Sequence, residues 1–331
     1  SPGTQSTTPA GPAQSPPAAT PGRAIASASP IGSSGASIQA LQNSLMPQSS
    51  VPLGISLPAP LPTPPAGPPT AVAGTPTPPV FLKSRLFIVA VGVSTYARRE
   101  YSLELAAKDA TDFSNLMDAQ VGRMYSSVEK RLLTNEAATR ASVLAALEWL
   151  RQSTGPDDTG MLFIAGHGLN DSSGKYFFLP HDVDLKRLAR SAIGEAELRK
   201  ALAGLRGKAM MFVDTCHSGN VLGSGISVNN EVGRLANTLA AAENGVIVFS
   251  ASTGKQESIE SKSWGNGAFT KALIAGLTGG ADFRKDGVVT HQGLSYFLGQ
   301  EVKTLTKGRQ TPVTAVPMGM VDFPLVAFAA R

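Results

Sequence analysis

What most constrains the fold of this chain is a series of short, almost unbroken apolar runs, each followed by a stretch with helical spacing. Arg85 to Val93 (RLFIVAVGV), Met161 to Ala165 (MLFIA), Ala209 to Val213 (AMMFV) and Val246 to Ser250 (VIVFS) carry a single charge between them, Arg85. Such runs do not alternate a wet face with a dry one, so they read as strands of a parallel sheet covered on both sides. Parallel neighbours require crossovers, and the intervening sequence supplies helices for them. Leu103 to Met117, Thr139 to Leu150, Ile193 to Leu205, Leu235 to Ala242, Ala268 to Leu277 and Leu294 to Leu305 each space apolar residues along one face. Thr139 is the expected N-cap of its helix. Val128 to Leu133 and Tyr176 to Leu179 complete the expected strands. The predicted class is α/β, with a mostly parallel central sheet and helices on both faces.

That pattern does not extend to the first 80 residues. They hold 19 of the 24 prolines and one charged side chain, Arg23. Such a composition buries too little apolar surface to offset the entropy of ordering, so residues 1–80 are expected to form a disordered Pro/Ala/Ser-rich linker and 81–331 a folded domain. Within the linker, Pro58 to Pro79 favours an extended polyproline spacer. Residues 36 to 46 (ASIQALQNSLM) space Ile38, Leu41 and Leu45 as either a disordered patch or a short docking helix. A long spacer implies an upstream sensor domain or a regulatory partner.

Several functions are excluded by composition. The net charge of +5 falls to +4 without Arg23, and no block of five like charges occurs, so nucleic acid is not an expected partner. No run of 18 apolar residues occurs, so no membrane span is expected. No charged start followed by an apolar stretch is visible from Ser1, so no signal peptide is read. A single cysteine leaves no internal disulfide and suits a reducing compartment, for which the expectation is cytoplasmic.

That cysteine, Cys216, lies in KAMMFVDTCHSG, where an apolar strand ends in a polar loop. Open α/β sheets place their chemistry at the carboxyl ends of strands, which makes the Cys216 thiol the candidate nucleophile. A thiol with a pKa of about 8.5 needs a base at neutral pH. His217 is adjacent, but neighbours on an extended segment point apart. His181 and His291 lie in loop-like contexts. His167 stands in GHG at the end of another apolar strand, 49 residues upstream, where a neighbouring parallel strand would bring it beside Cys216. Gly166 and Gly168 are expected to clear room for a peptide backbone.

The pair GHG and DTCHSG, each closing an apolar strand, resembles the caspase-like cysteine peptidases, and more closely the metacaspases and bacterial orthocaspases. The resemblance covers residues 85 to about 325, including Ser250-Ala251-Ser252 and Gly267-Ala268-Phe269-Thr270. It implies a caspase-like fold and an endopeptidase acting on protein or peptide through a His167–Cys216 dyad, with no cofactor. It also implies oxyanion donors at the backbone amides of Gly168 and Cys216, and substrate-binding roles for Asp109, Asp214, Ala251 and Ser252. Animal caspases cut after Asp and carry a neutral Gln where this chain has Asp214; a carboxylate there favours a cation, so cleavage after Arg or Lys is expected. The acidic calcium-binding cluster of many metacaspases is absent: SGKYFFLPHDVD offers only Asp182 and Asp184, too few for an oxygen cage. No metal is expected. The loop Asn220 to Gly233 holds no Lys or Arg, so Arg234 is the nearest candidate for self-cleavage. The rival reading is a non-catalytic caspase-fold scaffold; a further one is another thiol hydrolase on the same fold.

Overall fold

The computed structural model describes residue 3 and residues 84–217, 232–252, 259–261 and 264–328, with backbone alone at 216 and 217. The chain divides into two units, Ser1–Ala73 and Gly74–Arg331. The expected linker, its 36–46 segment, the polyproline spacer and most of the 220–233 loop fall outside the described residues. No described helix is long and apolar enough to cross a membrane.

The central sheet takes β1 (Leu86–Gly92), β2 (Val128–Thr134), β3 (Thr159–Asn170), β4 (Tyr176–Phe178), β5 (Ile193–Gly194), β6 (Lys208–His217), β7 (Val246–Ser250) and β11 (Val313–Ala315). Its strand order is β11-β7-β6-β3-β1-β2, with β4 and β5 extending from β3. β1, β2, β3, β6 and β7 run parallel, as the apolar runs predict, while β11 and β4 are antiparallel to their neighbours. Two short antiparallel pairs lie apart from it: β8 (Glu260–Ser261) with β9 (Asn266–Gly267), and β10 (Val288–Thr290) with β12 (Pro324–Ala327).

Helices α1 (Ala106–Asp118), α6 (Ala268–Ala275) and α7 (His291–Thr306) cover one face. The other is covered by α2 (Arg140–Ser153), α4 (Glu195–Leu202) and α5 (Val232–Ala240), with α3 (Leu188–Ser191) a single turn at the periphery. Each strand divides its side chains between the two cores with period two: Phe87, Val89 and Val91 join α2, whereas Leu86, Ile88 and Ala90 join α1. On the α1 face, Phe113 stacks on Phe163 at 4.8 Å and meets Phe212 at 5.1 Å, which in turn stacks on Phe249 at 5.0 Å. Thr139 caps α2 as expected, accepting from Ser142 N at 3.2 Å.

Two departures from the sequence expectation matter for the site. The strands expected to stop at Ala165 and Val213 continue through GHG and DTCH, because β3 and β6 pair with each other as far as Gly168 and His217. Pairing with β1 ends at Ala165 and pairing with β7 at Val213, so β3 and β6 project as a ribbon whose β3 edge is taken up by β4 from Gly168 onward. Polar residues persist in strand there because the ladder satisfies their backbone groups. Secondly, Ile193 and Gly194 form β5 instead of the first turn of a helix: α4 begins at Glu195, with the Glu197 carboxylate accepting from Gly194 N at 2.8 Å.

Candidate active site

On the projecting ribbon, His167 of β3 and Cys216 of β6 are register partners. The imidazole of His167 is 2% exposed, and its Nε2 lies 2.7 Å from the carbonyl oxygen of Tyr101. A carbonyl only accepts, so Nε2 carries the hydrogen and Nδ1 is the nitrogen able to take a proton. Burial lowers the His167 pKa below its ordinary value, and the Tyr101 carbonyl opposes that only in part. Burial thus favours the neutral ring, the protonation state a general base needs. The Tyr96 ring packs against it at 5.2 Å, and the Tyr96 hydroxyl accepts the His167 backbone N–H at 2.9 Å.

The flanking glycines have a different cause from the one expected. Gly166 has φ +145°, and a Cβ there would stand 3.0 Å from the Tyr96 hydroxyl and 3.3 Å from Phe178. A Cβ on Gly168 would stand 2.8 Å from the Tyr176 hydroxyl and 3.0 Å from Thr215 Oγ1. The space a Cβ would need at both positions is filled by the protein's own side chains, so glycine is required there for packing around the histidine. Gly168 is the partner of His217, which leaves the amides of Gly168 and Cys216 on adjacent strands one residue out of register.

Beneath the ribbon, on the α1 face, two carboxylates meet. Asp109 and Asp214 are 2% and 5% exposed, and a Cβ on Gly267 would lie 3.1 Å from one and 3.0 Å from the other. Asp109 does not serve its own helix: its carboxylate accepts from Asn266 Nδ2 at 2.9 Å and from Gly267 N at 3.2 Å. Asp214 accepts from the Thr270 backbone N–H at 3.2 Å and from its hydroxyl at 2.7 Å. Burial, then the Asp214 charge, pushes the Asp109 carboxyl up to about 8. Lys108, on the same helix, pairs with Asp112. Glu260, opposite Gly267 in the β8–β9 pair, is half-buried; burial raises its carboxyl too, while its oxygen accepts from Glu104 N at 3.3 Å. Three acids from separate segments, Asp109, Asp214 and Glu260, thus gather around Gly267.

Of the other expected residues, Ala251 and Ser252 are buried just past β7, where Ala251 N donates to Val213 O at 2.8 Å and its carbonyl accepts from Gln310 Nε2 at 2.9 Å. The Ala251 side chain is part of the α1-face core. Arg234 lies in the first turn of α5, where it pairs with Glu195 at 3.3 Å and precedes the buried Leu235, so the bond after it is not in the extended form a peptidase reads. His181 braces the loop after β1 through Nδ1 to Thr95 O at 2.7 Å, and His291 is buried against Phe323. Asp182 accepts from Arg140 N and Asp184 from Lys186 N. Among the described residues no group of three or more His, Cys, Asp or Glu is placed to hold a metal ion. Sequence reasoning missed Tyr96, Tyr101 and Glu260. Tyr101 acts through its carbonyl, which any residue type would supply, and Glu260 lies on a two-residue strand too short for periodicity.

A family model described as the caspase domain, Peptidase_C14, matches residues 85–318. Among solved structures, protein GSU0716 from Geobacter sulfurreducens is similar at 20% identity, over 70% of this chain and 92% of that one, with a TM-score of 0.50. At that identity the likeness bears on the fold alone. Among curated proteins, none matches this chain. The match over most of the described residues, on a sheet whose carboxyl ends carry the histidine and the sole cysteine, means that the chain belongs to the caspase-domain family of cysteine peptidases.

Proposed function

We propose that this protein is a cysteine endopeptidase of the metacaspase and orthocaspase type that cuts protein chains after Arg or Lys. The observation that carries the reading is the register of β3 with β6, in which His167 and Cys216 are partners, with Asp214 two residues before the cysteine and Asp109 beside that acid at Gly267. In the first step His167 Nδ1 takes the Cys216 thiol proton and the sulfur attacks the scissile carbonyl carbon. The amides of Gly168 and Cys216 receive the developing negative charge on the carbonyl oxygen. As the C–N bond breaks, the imidazolium gives its proton to the departing amine, leaving a thioester that water, deprotonated by His167, then hydrolyses. Tyr101 holds the imidazole through its carbonyl, which supplies the orienting role a carboxylate has in many triads.

Specificity in this reading comes from Asp109 and Asp214, with Glu260 at the rim. A buried carboxyl pushed up beside a second acid gains most from a guanidinium or ammonium and rejects a carboxylate side chain. Ser252 would contact the substrate backbone beside this pair, whereas Ala251, expected in the same role, has its N–H and carbonyl bonded within the protein and its side chain in the core. The protein is expected to act without calcium, and a partner or upstream module would control it through the proline-rich segment.

The test compares fluorogenic peptides ending in Arg, Lys and Asp before the reporter, with Cys216→Ala as control and chelator in a parallel arm. Cleavage after Arg and Lys that the Cys216→Ala variant loses is the expected result. Preference for Asp would overturn the specificity, activity lost in chelator would overturn calcium independence, and a fully active Cys216→Ala would overturn the dyad.

A further inference from the structure

Past Ala165, β3 has lost β1 as a neighbour, because β1 ends at Gly92. One more bond, Val93 N to Ala165 O at 3.0 Å, closes that edge of the ladder. The next backbone donor needing a partner on β3 is the N–H of His167, and a buried amide left unpaired is costly. It receives no strand. The Tyr96 hydroxyl accepts it at 2.9 Å, while the ring of the same tyrosine lies 5.2 Å from the imidazole, tilted by 33°. Both the backbone and the ring of His167 are thus held by one side chain from another segment.

That segment is itself fixed at several points. Asn135 Oδ1 accepts from Ser94 N at 2.9 Å and from Thr95 N at 3.0 Å; Ala97 N donates to His181 O at 3.0 Å; Leu103 N donates to Ser94 O at 2.7 Å. The Tyr96 and Tyr101 rings meet edge to face at 6.3 Å. Gly166 is required by the same arrangement, since its positive φ turns the strand and any Cβ would crowd the Tyr96 hydroxyl. An aromatic ring alone would fill the space; the hydroxyl adds the acceptor for the His167 amide.

We propose that Tyr96 is a positioning residue for His167, its hydroxyl fixing the backbone and its ring the plane of the imidazole, so that Nδ1 is held for proton transfer. This rests on the reading of His167 as the general base. It predicts that Tyr96 governs turnover and not substrate affinity, because the acids that would bind the cation, Asp109 and Asp214, lie on other elements.

The experiment measures kcat and KM across pH for Tyr96→Phe, Tyr96→Ala and His167→Ala, normalised to active sites titrated by alkylation of Cys216, the single thiol of the chain. Tyr96→Phe keeps the ring and loses the acceptor; kcat is expected to fall about tenfold with KM within about twofold, as for an interaction felt in the transition state. Tyr96→Ala also admits water to the imidazole, so kcat should fall about a hundredfold and the acidic limb of kcat/KM should move up toward the ordinary histidine value of about 6.5. If Tyr96→Phe matches the parent in kcat and pH profile while His167→Ala is inactive, the positioning role is wrong and the dyad stands. Losses that vanish on active-site normalisation also overturn it, since Tyr96 would then serve folding alone. A fully active His167→Ala removes both the dyad and this inference.

Discussion

Asp158 and Asp109 are both buried carboxylates at strand ends, one at the amino end of β3 and one against the carboxyl end of β6, and their surroundings are opposite. Asp158 accepts from the Arg85 guanidinium at 2.7 Å and from the backbone N–H groups of Arg85 and Gly155. Burial would raise its pKa, but these donors outweigh burial and hold it below the ordinary carboxylate range. The donors to Asp109 are neutral, Asn266 and Gly267, and the neighbouring charge is that of Asp214, so its carboxyl rises to about 8. The first acid is compensated within the fold and ties β1 to the turn before β3. The second is held at a cost to the fold, as expected if it receives the cation of the proposed substrate.

The largest effect that would break this contrast is on specificity. Asp109→Asn is expected to lower kcat/KM for Arg peptides by about 100- to 1000-fold, as for loss of a desolvated charge partner worth a few kcal/mol. A peptide with citrulline, the neutral isostere of arginine, should lose little. Equal losses on both would make Asp109 a structural acid like Asp158. Next in size, Asp158→Ala is expected to destabilise by about 2–3 kcal/mol in denaturant titration, since two buried amides lose their acceptor. Its peptidase activity per folded molecule should be unchanged, and a selective loss of Arg cleavage would erase the distinction.

The contrast also has a sign in pH. A carboxyl raised in the fold stabilises fully below its unfolded value of about 4, and that contribution is lost as pH rises through its folded value. The loss for Asp109 therefore falls between about pH 4 and about 8. Asp109→Asn should be more stable than the parent by on the order of 1 kcal/mol at pH 8, with the difference closing near pH 4. A parent more stable at pH 8 would show that Asp109 is compensated after all. Smallest is the kinetic counterpart. At neutral pH the cation must displace a proton, so the ratio of Arg to citrulline kcat/KM should rise several-fold between about pH 6.5 and 8. A flat ratio would mean that the acid pair is already ionised when empty.

Much of the fold is legible in the residues alone. The four apolar runs are β1, β3, β6 and β7, because residues buried on both faces of a parallel sheet must be apolar at every position. GHG and DTCH are legible as strand ends of matching depth, since the parity of a strand and the carboxyl-end rule need no tertiary information. The short strands β8 to β12 are not legible, because two to four residues carry no periodicity. Ile193 and Gly194 mislead for a related reason: an apolar residue followed by a helix former reads as the helix itself until Gly194 is seen to cap it.

The sequence by itself determined the α/β class and placed a histidine and the sole cysteine at strand ends, with an acid two residues before the cysteine. Each of these is local, a matter of residue type at fixed spacing along one or two strands. That the two strands are neighbours was for the structure to decide. Only the tertiary structure decided that Tyr96 and the Tyr101 carbonyl hold His167, and that Asp109, Asp214 and Glu260 gather around Gly267. Those contacts join segments far apart in the chain, and they depend on where a loop closes over the end of β1, which is set by packing and backbone hydrogen bonding together.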